Sequence, residues 1–213
     1  MPGTPPIVRE IESHLKVSYA SASKGDCEKM MDGTQGFVSR IHMNNSMQRL
    51  LQDAARTVHS IFQFQEVSIG LKDPVDGKYR YLAIVGYTRE AEDALKKVSY
   101  TYEEFISQQE FPAIRISKML DMNIGENQPN LEKEKKCWNR PSQLTDPRKS
   151  PEDFTEGDYL DVYMYASGTD LVGWIEVSAP RDGKMPNGRT MKGLELFGSM
   201  LTIAVLYQIS RTK

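Results

Sequence analysis

The sequence predicts an α+β domain built on an antiparallel sheet of five to six strands. An apolar stripe of helical period covers residues 47–62, and alternating strand patterns follow it at 67–71 and 79–87. A second pair of strand patterns at 159–179 precedes a final helix. Because tight turns join the strands of each pair, the pairs must be antiparallel. The N- and C-terminal helices can together cover one face of the sheet, which leaves the other face for the middle of the chain.

Length and charge exclude several classes of protein. The chain has 213 residues with 27 basic and 29 acidic side chains, so its net charge of -2 offers no field for nucleic acid or an anionic membrane. We find no run near the roughly 18 apolar residues of a membrane span and no apolar signal segment at the N-terminus. Two cysteines and three histidines are too few for a disulfide scaffold or a multi-histidine metal centre. We therefore expect a cytoplasmic protein without a metal site that binds neither nucleic acid nor membrane.

Residues 1–46 predict a helical extension that precedes a domain at 47–210. The apolar face of the first helix is formed by Ile7, Val8, Ile11 and Leu15. A second, short helix is expected to end at Met31, because Gly33 and Gly36 interrupt it. Such an extension can pack on the main domain or pair with another chain.

The first half of the domain divides into short elements. The candidate N-caps of the helix at 47–62 are Asn44, Asn45 and Ser46. The two strands after it flank a turn at 73–77 that is rich in Asp, Pro and Gly. Three more elements are predicted: a helix at 89–98, a helical turn at 102–107 capped by Thr101, and a strand at 113–117.

A charged insertion at 118–157 separates the two halves of the sheet. Fifteen of its forty residues are charged, and a loop of this length without secondary structure is uncommon in a compact domain. We expect either a helix around 131–137 or a mobile lid that closes over a pocket.

The C-terminal strand pair divides its residues between two faces. The strand at 159–166 places Leu160, Val162 and Met164 on one face and Tyr159, Asp161, Tyr163 and Tyr165 on the other. Its partner places Leu171, Gly173, Ile175 and Val177 on one face and Trp174 and Glu176 on the other. The final helix opens at Pro186-Asn187 and turns Leu194, Phe197, Leu201, Ala204, Val205 and Gln208 inward.

This C-terminal third resembles the GAF domain family. The matching segments are Glu156-Gly-Asp-Tyr-Leu-Asp-Val-Tyr-Met, Asp170-Leu-Val-Gly-Trp-Ile-Glu-Val, Ala179-Pro-Arg-Asp-Gly-Lys-Met-Pro, Leu194-Glu-Leu-Phe-Gly and Leu201-Thr-Ile-Ala-Val. With the opening helix and first strand, the resemblance covers residues 47–208 and is most similar to GAF domains of microbial sensory histidine kinases.

The resemblance implies a ligand pocket under loops on the uncovered face of the sheet. Tyrosines, a tryptophan and two acids on that face suit a semi-buried polar ligand. The candidate ligand-binding residues are Tyr81, Tyr87, Tyr159, Asp161, Tyr163, Tyr165, Trp174 and Glu176. The alternative is that these rings only pack beneath the long insertion.

The identity of a ligand or cofactor stays unknown at this stage. The Asn-Lys-x-Phe-Asp type signature of cyclic-nucleotide GAF domains is missing, and neither cysteine has the adjacent histidine usual for bilin attachment. Haem stays open, because Cys137 or a methionine could supply an axial ligand.

Cys137 is a candidate redox thiol, since Lys133, Lys135 and Lys136 are expected to lower its pKa. One GAF subfamily reduces free methionine sulfoxide with cysteines, but that cysteine pattern is missing here, and a resolving partner is normally required. We therefore do not expect an enzyme.

Two functions remain as hypotheses. The first is a sensory domain that passes a ligand-induced change to a histidine kinase, another signalling partner or a second copy, as a homodimer through its terminal helices. Residues that could serve either this interface or the core are Met47, Leu50, Leu51, Leu194 and Leu201. The second is an interaction or dimerisation module whose pocket is filled by its own side chains.

Overall fold

A computed structural model describes residues 5–21, 28–43, 46–129 and 134–211. The helices are α1 (Pro6–Ser21), α2 (Glu28–Arg40), α3 (Met47–Ile61), α4 (Arg89–Leu95), α5 (Tyr102–Phe105) and α6 (Gly188–Arg211). The strands are β1 (Phe64–Lys72), β2 (Tyr79–Val85), β3 (Ser99–Tyr100), β4 (Ala113–Arg115), β5 (Leu120–Asn123), β6 (Tyr159–Ser167) and β7 (Asp170–Pro180). The predictions made for Asn44, Asn45 and Lys133, and the start of the helix expected around 131–137, lie outside the described residues.

The strands form one antiparallel sheet in the order β3-β2-β1-β7-β6-β5-β4. The α+β class and the helix-covered face are confirmed, and the sheet has seven strands where five to six were predicted. The two strands missed are β3, which has only two residues, and β5, which lies inside the charged insertion. β5 has only four residues, which are few for a period of two to stand out within a charged insertion.

The covered face is packed by α3 against β1 and β2 and by α6 against β6. Ser46 caps α3 by accepting a hydrogen bond from the Arg49 backbone N–H at 3.3 Å. Leu50, Leu51, Leu194 and Leu201 are all fully buried in this core, and Met47 is partly buried against it. These five residues therefore contribute to intramolecular packing, each buried leucine by about 1.5–3 kcal/mol.

The N-terminal helices add a further layer. α1 packs on α6 and α2 packs on α3, and Val8, Ile11 and Leu15 of α1 belong to the same hydrophobic core as the sheet. The expectation that glycines end the second helix at Met31 is wrong, because α2 continues to Arg40. A Cβ at Gly33 would lie 2.3 Å from Ile61 Cγ2, so this glycine allows close contact between α2 and α3.

α6 is long and apolar enough to cross a membrane by length and composition alone, with a mean hydropathy of 1.3 over its best window. The sequence-based expectation that no segment approaches a membrane span overlooked this helix. Within the fold, Leu194, Phe197 and Leu201 of α6 are fully buried against the sheet, and 44% of that window is buried. The helix is thus part of the core.

Candidate functional site

The face of the sheet opposite α3 and α6 carries its own aromatic cluster. Trp174 is fully buried at its centre, with the rings of Phe105 and Tyr81 at centroid distances of 4.7 and 5.0 Å. Gly70, which pairs with Trp174 across the strands, leaves the space for the indole, since a Cβ there would lie 2.0 Å from the ring. The rings of Tyr79 and Tyr163 also belong to this cluster.

Leu171 belongs to the same cluster, although the alternation predicted it on the opposite face with Ile175. The register between β6 and β7 shifts on either side of Tyr165, which pairs with Leu171. This irregularity near the hairpin turn breaks the period of two on which the prediction relied.

A row of carboxylates crosses the middle of this face. Asp121 of β5 lies opposite Asp161 of β6, and Asp161 lies opposite Glu176 of β7. Glu176 in turn lies opposite Ser68 of β1. Ser68, Asp121 and Asp161 are buried, and Glu176 is partly buried. Directly opposed residues of an antiparallel pair have Cβ atoms about 4.5–5.5 Å apart, so the three acids repel one another when ionised.

The hydrogen bonds of these acids are unequally distributed. Glu176 accepts from the Tyr81 hydroxyl at 2.7 Å and from Ser68 Oγ at 3.2 Å. Asp161 Oδ2 accepts from Asn123 Nδ2 at 3.1 Å. Asp161 Oδ1 is buried without a hydrogen-bond partner among the described residues.

Asp121 is the one member of the row that contacts a basic side chain among the described residues. Its carboxylate forms an ion pair with Arg115 and accepts a hydrogen bond from the Tyr163 hydroxyl at 2.9 Å. The Arg115 side chain is 55% exposed, so solvent screens part of this attraction.

Burial raises the pKa of Asp161 well above its ordinary value, and the adjacent carboxylates of Glu176 and Asp121 raise it further. Burial also raises the pKa of Glu176, although hydrogen bonds from Tyr81 and Ser68 oppose the shift. Two acids in this relation titrate as a pair, so their apparent pKa values belong to the pair and not to either residue.

Two small cavities lie against this row. One of about 30 Å³ is lined by Asp161 and Glu176, and one of about 40 Å³ lies beside Glu176 and Cys137. Six of the eight sequence-predicted residues line one or both cavities: Tyr81, Tyr87, Tyr159, Asp161, Tyr163 and Glu176. Trp174 lies beneath them in the aromatic cluster, and Tyr165 is half-buried beside Tyr163 at a ring distance of 6.1 Å.

Sequence reasoning missed several residues that the fold brings to the same place. They are Ser68, Tyr100, Phe105, Phe111, Arg115, Asp121 and Asn123. The alternation Leu120-Asp-Met-Asn could have signalled Asp121 and Asn123, because two apolar residues alternate with two polar ones. Nothing in the local pattern around Phe105 and Phe111 signals their packing over the sheet.

The charged insertion is anchored to the sheet at several points. Asn139 accepts from the Thr88 backbone N–H at 2.6 Å and donates to Glu66 at 2.8 Å and to the Gly86 carbonyl at 3.0 Å. Arg140 forms an ion pair with the buried Glu156 at 2.7 Å. The helix expected around 131–137 is represented, in its described part, by a single 3-10 turn at Lys135–Cys137.

A buried ion pair closes the far end of the insertion. Arg148 donates to both oxygens of Asp158 at 2.7 and 2.9 Å, and both side chains are almost fully buried. Asp158 also accepts from the backbone N–H groups of Gly125 and Thr155 at 2.9 and 2.8 Å. This carboxylate, part of the Glu156-Gly-Asp motif, therefore ties the insertion to the start of β6.

The pKa of the Cys137 thiol shifts in the direction opposite to the one that its lysine neighbours suggested. Burial raises the pKa of its thiol to about 12, and the carboxylates of Glu134 and Glu176 add to the shift. The expectation that lysines lower the pKa is wrong because acids and rings, rather than ammonium groups, surround the sulfur. Within the described ranges, no group of three His, Cys, Asp or Glu side chains is placed to hold a metal ion.

The architecture has two terminal helices on one face of the ordered sheet and the insertion over the other face. Solved structures share this overall fold. One is the GAF domain of a phosphoenolpyruvate-protein phosphotransferase from Coxiella burnetii, with a TM-score of 0.56 and 11% identity, covering 88% of this chain and 99% of that one. The fold is GAF-like. No protein-family model and no curated protein sequence matches the chain.

Two further structures share the GAF-like fold. A methyl-accepting chemotaxis protein fragment, residues 122 to 287, aligns with a TM-score of 0.55 and 14% identity, covering 82% of this chain and 98% of that one. The phycoerythrobilin-bound GAF domain of a cyanobacterial phytochrome aligns with a TM-score of 0.55 and 9% identity, covering 86% and 98%. At these identities the likeness concerns the GAF-like fold alone.

Proposed function

We propose that this chain is a sensory or regulatory GAF-like domain that binds a small molecule on the uncovered face of its sheet. The observation that carries the proposal is the row of three acids under an anchored insertion, in which the buried Asp161 keeps an oxygen without a hydrogen-bond partner among the described residues and aromatic rings line the adjoining cavities. A pocket with an apolar lining and a few convergent polar groups is typical of ligand sites. The similar structures come from a phosphotransferase, a chemotaxis protein and a phytochrome, which supports a signalling role.

The proposed mechanism is a ligand-driven change in the insertion and in the short elements that cover the site. A ligand can shift such an equilibrium only through its different affinity for the two states. The change would reach α3 and α6 through β1 and β7, whose two faces contact the site and the core respectively. The protein that responds to this change is a signalling partner, such as a histidine kinase, or a second copy of the chain. The proposed location of this interaction is the cytoplasm.

Native mass spectrometry and an absorption spectrum of the purified protein test this proposal together. A discrete extra mass is expected for a colourless ligand, and a visible band would indicate haem or another chromophore. The Trp174→Ala variant, which empties the centre of the face, should lose the extra mass. A protein with no extra mass and no thermal shift with any compound of a metabolite library would contradict the proposal.

We propose no enzymatic activity. Only the thiolate is a nucleophile, and a thiol with a pKa of about 12 is almost entirely protonated at neutral pH. Turnover of free methionine sulfoxide with a thiol reductant measures this directly. Methionine sulfoxide reduction by the wild type that disappears in Cys137→Ser would contradict the proposal that the chain is not an enzyme.

The second candidate function is a dimerisation module that needs no ligand. Two observations favour it: the cavities have room for about one water each, and α6 exposes apolar side chains. Leu196, Ile203 and Tyr207 are 57%, 68% and 48% exposed, and with the half-buried Met200 they repeat at spacings of four, three and four. That spacing is the seam of a two-helix coiled coil.

A further inference from the structure

The uncovered face holds more carboxyl groups than basic side chains that could pair with them. Asp121, Asp161 and Glu176 stand next to one another on three neighbouring strands. Arg115 is the one basic residue in the described lining of either cavity, and Asp121 already forms an ion pair with it. The carboxyl groups of Asp161 and Glu176 therefore face the cavities without a cationic partner in the described part of the chain.

One oxygen of this pair lacks any partner. Asp161 is 93% buried, and its Oδ1 atom has no hydrogen bond within the described ranges. A buried acceptor left unpaired destabilises the fold, and a pair of opposed acids adds repulsion. Groups that violate local rules in this way are expected at functional sites, where a ligand completes the missing interactions.

The rest of the enclosure consists of aromatic rings. The tyrosines at 81, 100, 159 and 163 and the phenylalanines at 105 and 111 line the cavity that contains Asp161 and Glu176. Aromatic faces attract a positive charge within about 6 Å of the ring centroid, most strongly where water is excluded. Arg115 already lies over the Tyr163 ring at 5.6 Å, which indicates that the electrostatics of this wall suit cations.

We propose that this face binds a small organic cation, a protonated amine or a quaternary ammonium group, with its charge between Asp161 and Glu176. The hydrocarbon part of the ligand lies against the rings of Tyr81 and Tyr159. This inference rests on the proposed function, because it requires the uncovered face to be a ligand site. Raised pKa values at the two acids agree with it, since the pair retains a proton that a bound cation would replace.

Entry of the cation requires a movement that the fold permits. The two cavities of about 30 and 40 Å³ both border on Tyr100, Phe111 and Glu176. Tyr100 and Phe111 pack edge to face at 5.6 Å, and both are half-buried. Tyr100 lies on a two-residue edge strand, and Phe111 lies in an irregular stretch after α5. Outward rotation of these two rings would merge the cavities over the carboxylates.

The experiment uses probes that differ mainly in charge. Choline and butylamine serve as cations, and dimethylbutanol and butyrate serve as their uncharged and anionic counterparts of similar size. Both tryptophans of the chain, Trp138 and Trp174, lie at this face, so intrinsic fluorescence reports binding directly. Thermal unfolding provides a second readout, and ionic strength is held constant with sodium chloride so that screening does not change.

The matched variants are Asp161→Asn and Glu176→Gln, which keep the shape of each side chain and remove its charge. Asp170→Asn, at an exposed acid at the start of β7, is the control. We expect the two cations to bind saturably with a Kd on the order of millimolar, as suits ligands of so few atoms. Each site variant should weaken that binding at least tenfold, and the control should leave it unchanged.

The outcomes separate this inference from the proposed function. Cations that bind no better than dimethylbutanol, or that bind both site variants with wild-type affinity, would overturn the inference. If butyrate or dimethylbutanol alone binds and changes the tryptophan fluorescence, the cation inference fails and the proposed ligand site stands. If no probe of any charge binds and the purified protein carries no extra mass, both fail.

Discussion

At the scale of single residues, the uncovered face depends on one glycine and one tryptophan. Gly70 and Trp174 are paired across β1 and β7, and the indole occupies the space that any side chain at residue 70 would need. Trp174 in turn supports the rings of Tyr81 and Phe105. A change at residue 70 therefore affects the whole aromatic cluster.

Gly70→Ala should destabilise the protein by about 3 kcal/mol, at the upper end of the usual cost of overpacking, because the new Cβ would lie 2.0 Å from the ring. Gly36→Ala is the matched control. Its Cβ would meet only the end of the flexible Arg40 side chain at 3.3 Å, and alanine favours a helix by about 1 kcal/mol over glycine. Urea unfolding followed by tryptophan fluorescence compares the two, and equal stabilities would contradict the close contact at residue 70.

Asp161 makes the stability of the fold depend on pH in a defined direction. Its pKa is raised by burial, by Glu176 on β7 and by Asp121 on β5, and the hydrogen bond from Asn123 opposes the shift. The rings of Tyr81, Tyr159 and Tyr163 line the same cavity. Below about pH 4, aspartate is protonated in both states. As the pH rises above this value, the unfolded chain loses the proton first, so stability falls until the pH passes the pKa of the folded state.

Asp161→Asn should therefore stabilise the protein at pH 8, by about 1.4 kcal/mol for each unit by which folding raises the pKa. The difference from the wild type should disappear near pH 4. Denaturant unfolding at both pH values measures it, with Asp170→Asn as the exposed control. A variant that loses stability at pH 8 would show that the carboxylate has a partner that supports the fold.

At the scale of elements, the described residues of the insertion, 118–129 and 134–157, are tied to the sheet at several points. β5 pairs with β6, Asn139 bridges to the ends of β2 and α4, and Arg148 is tied to Asp158. The local pattern suggested a lid because charged residues dominate it, and a charge run usually marks a solvated segment. One of those charges, Arg148, is instead buried against Asp158, which follows the insertion.

Asp158→Ala should cost about 3–5 kcal/mol, because it leaves the Arg148 guanidinium buried without its main partner. Asp153→Ala removes the solvent-screened pair with Lys184 and should cost much less stability than Asp158→Ala. Thermal unfolding compares the two variants. An equal loss of stability in both variants would contradict the prediction that burial makes the Arg148–Asp158 ion pair the more important of the two.

At the scale of the whole molecule, one face of α6 builds the core and the other is left apolar and exposed. Leu196, Ile203 and Tyr207 lie on the exposed side at coiled-coil spacing. Leu194 and Leu201, which the sequence allowed in either a dimer interface or the core, are fully buried in the core.

Ile203→Glu should shift the chain from dimer to monomer if two copies pair along α6, because two like charges would meet at the seam. Size-exclusion chromatography with light scattering measures the mass, and Lys192→Glu, at an exposed position on the same helix, is the control. A wild-type protein that is monomeric at all accessible concentrations would contradict the dimer.

The sequence by itself determined the α+β class, the helix-covered face and most of the candidate residues. Each of these rests on a local period that alternates or repeats within one element, as Tyr159, Asp161 and Tyr163 do along β6. Only the tertiary structure decided that Asp121 joins their row, that Gly70 makes room for Trp174, and that Cys137 lies among acids and rings. Those facts depend on the register between strands and on residues far apart in the chain, and a single-strand pattern carries no information about either.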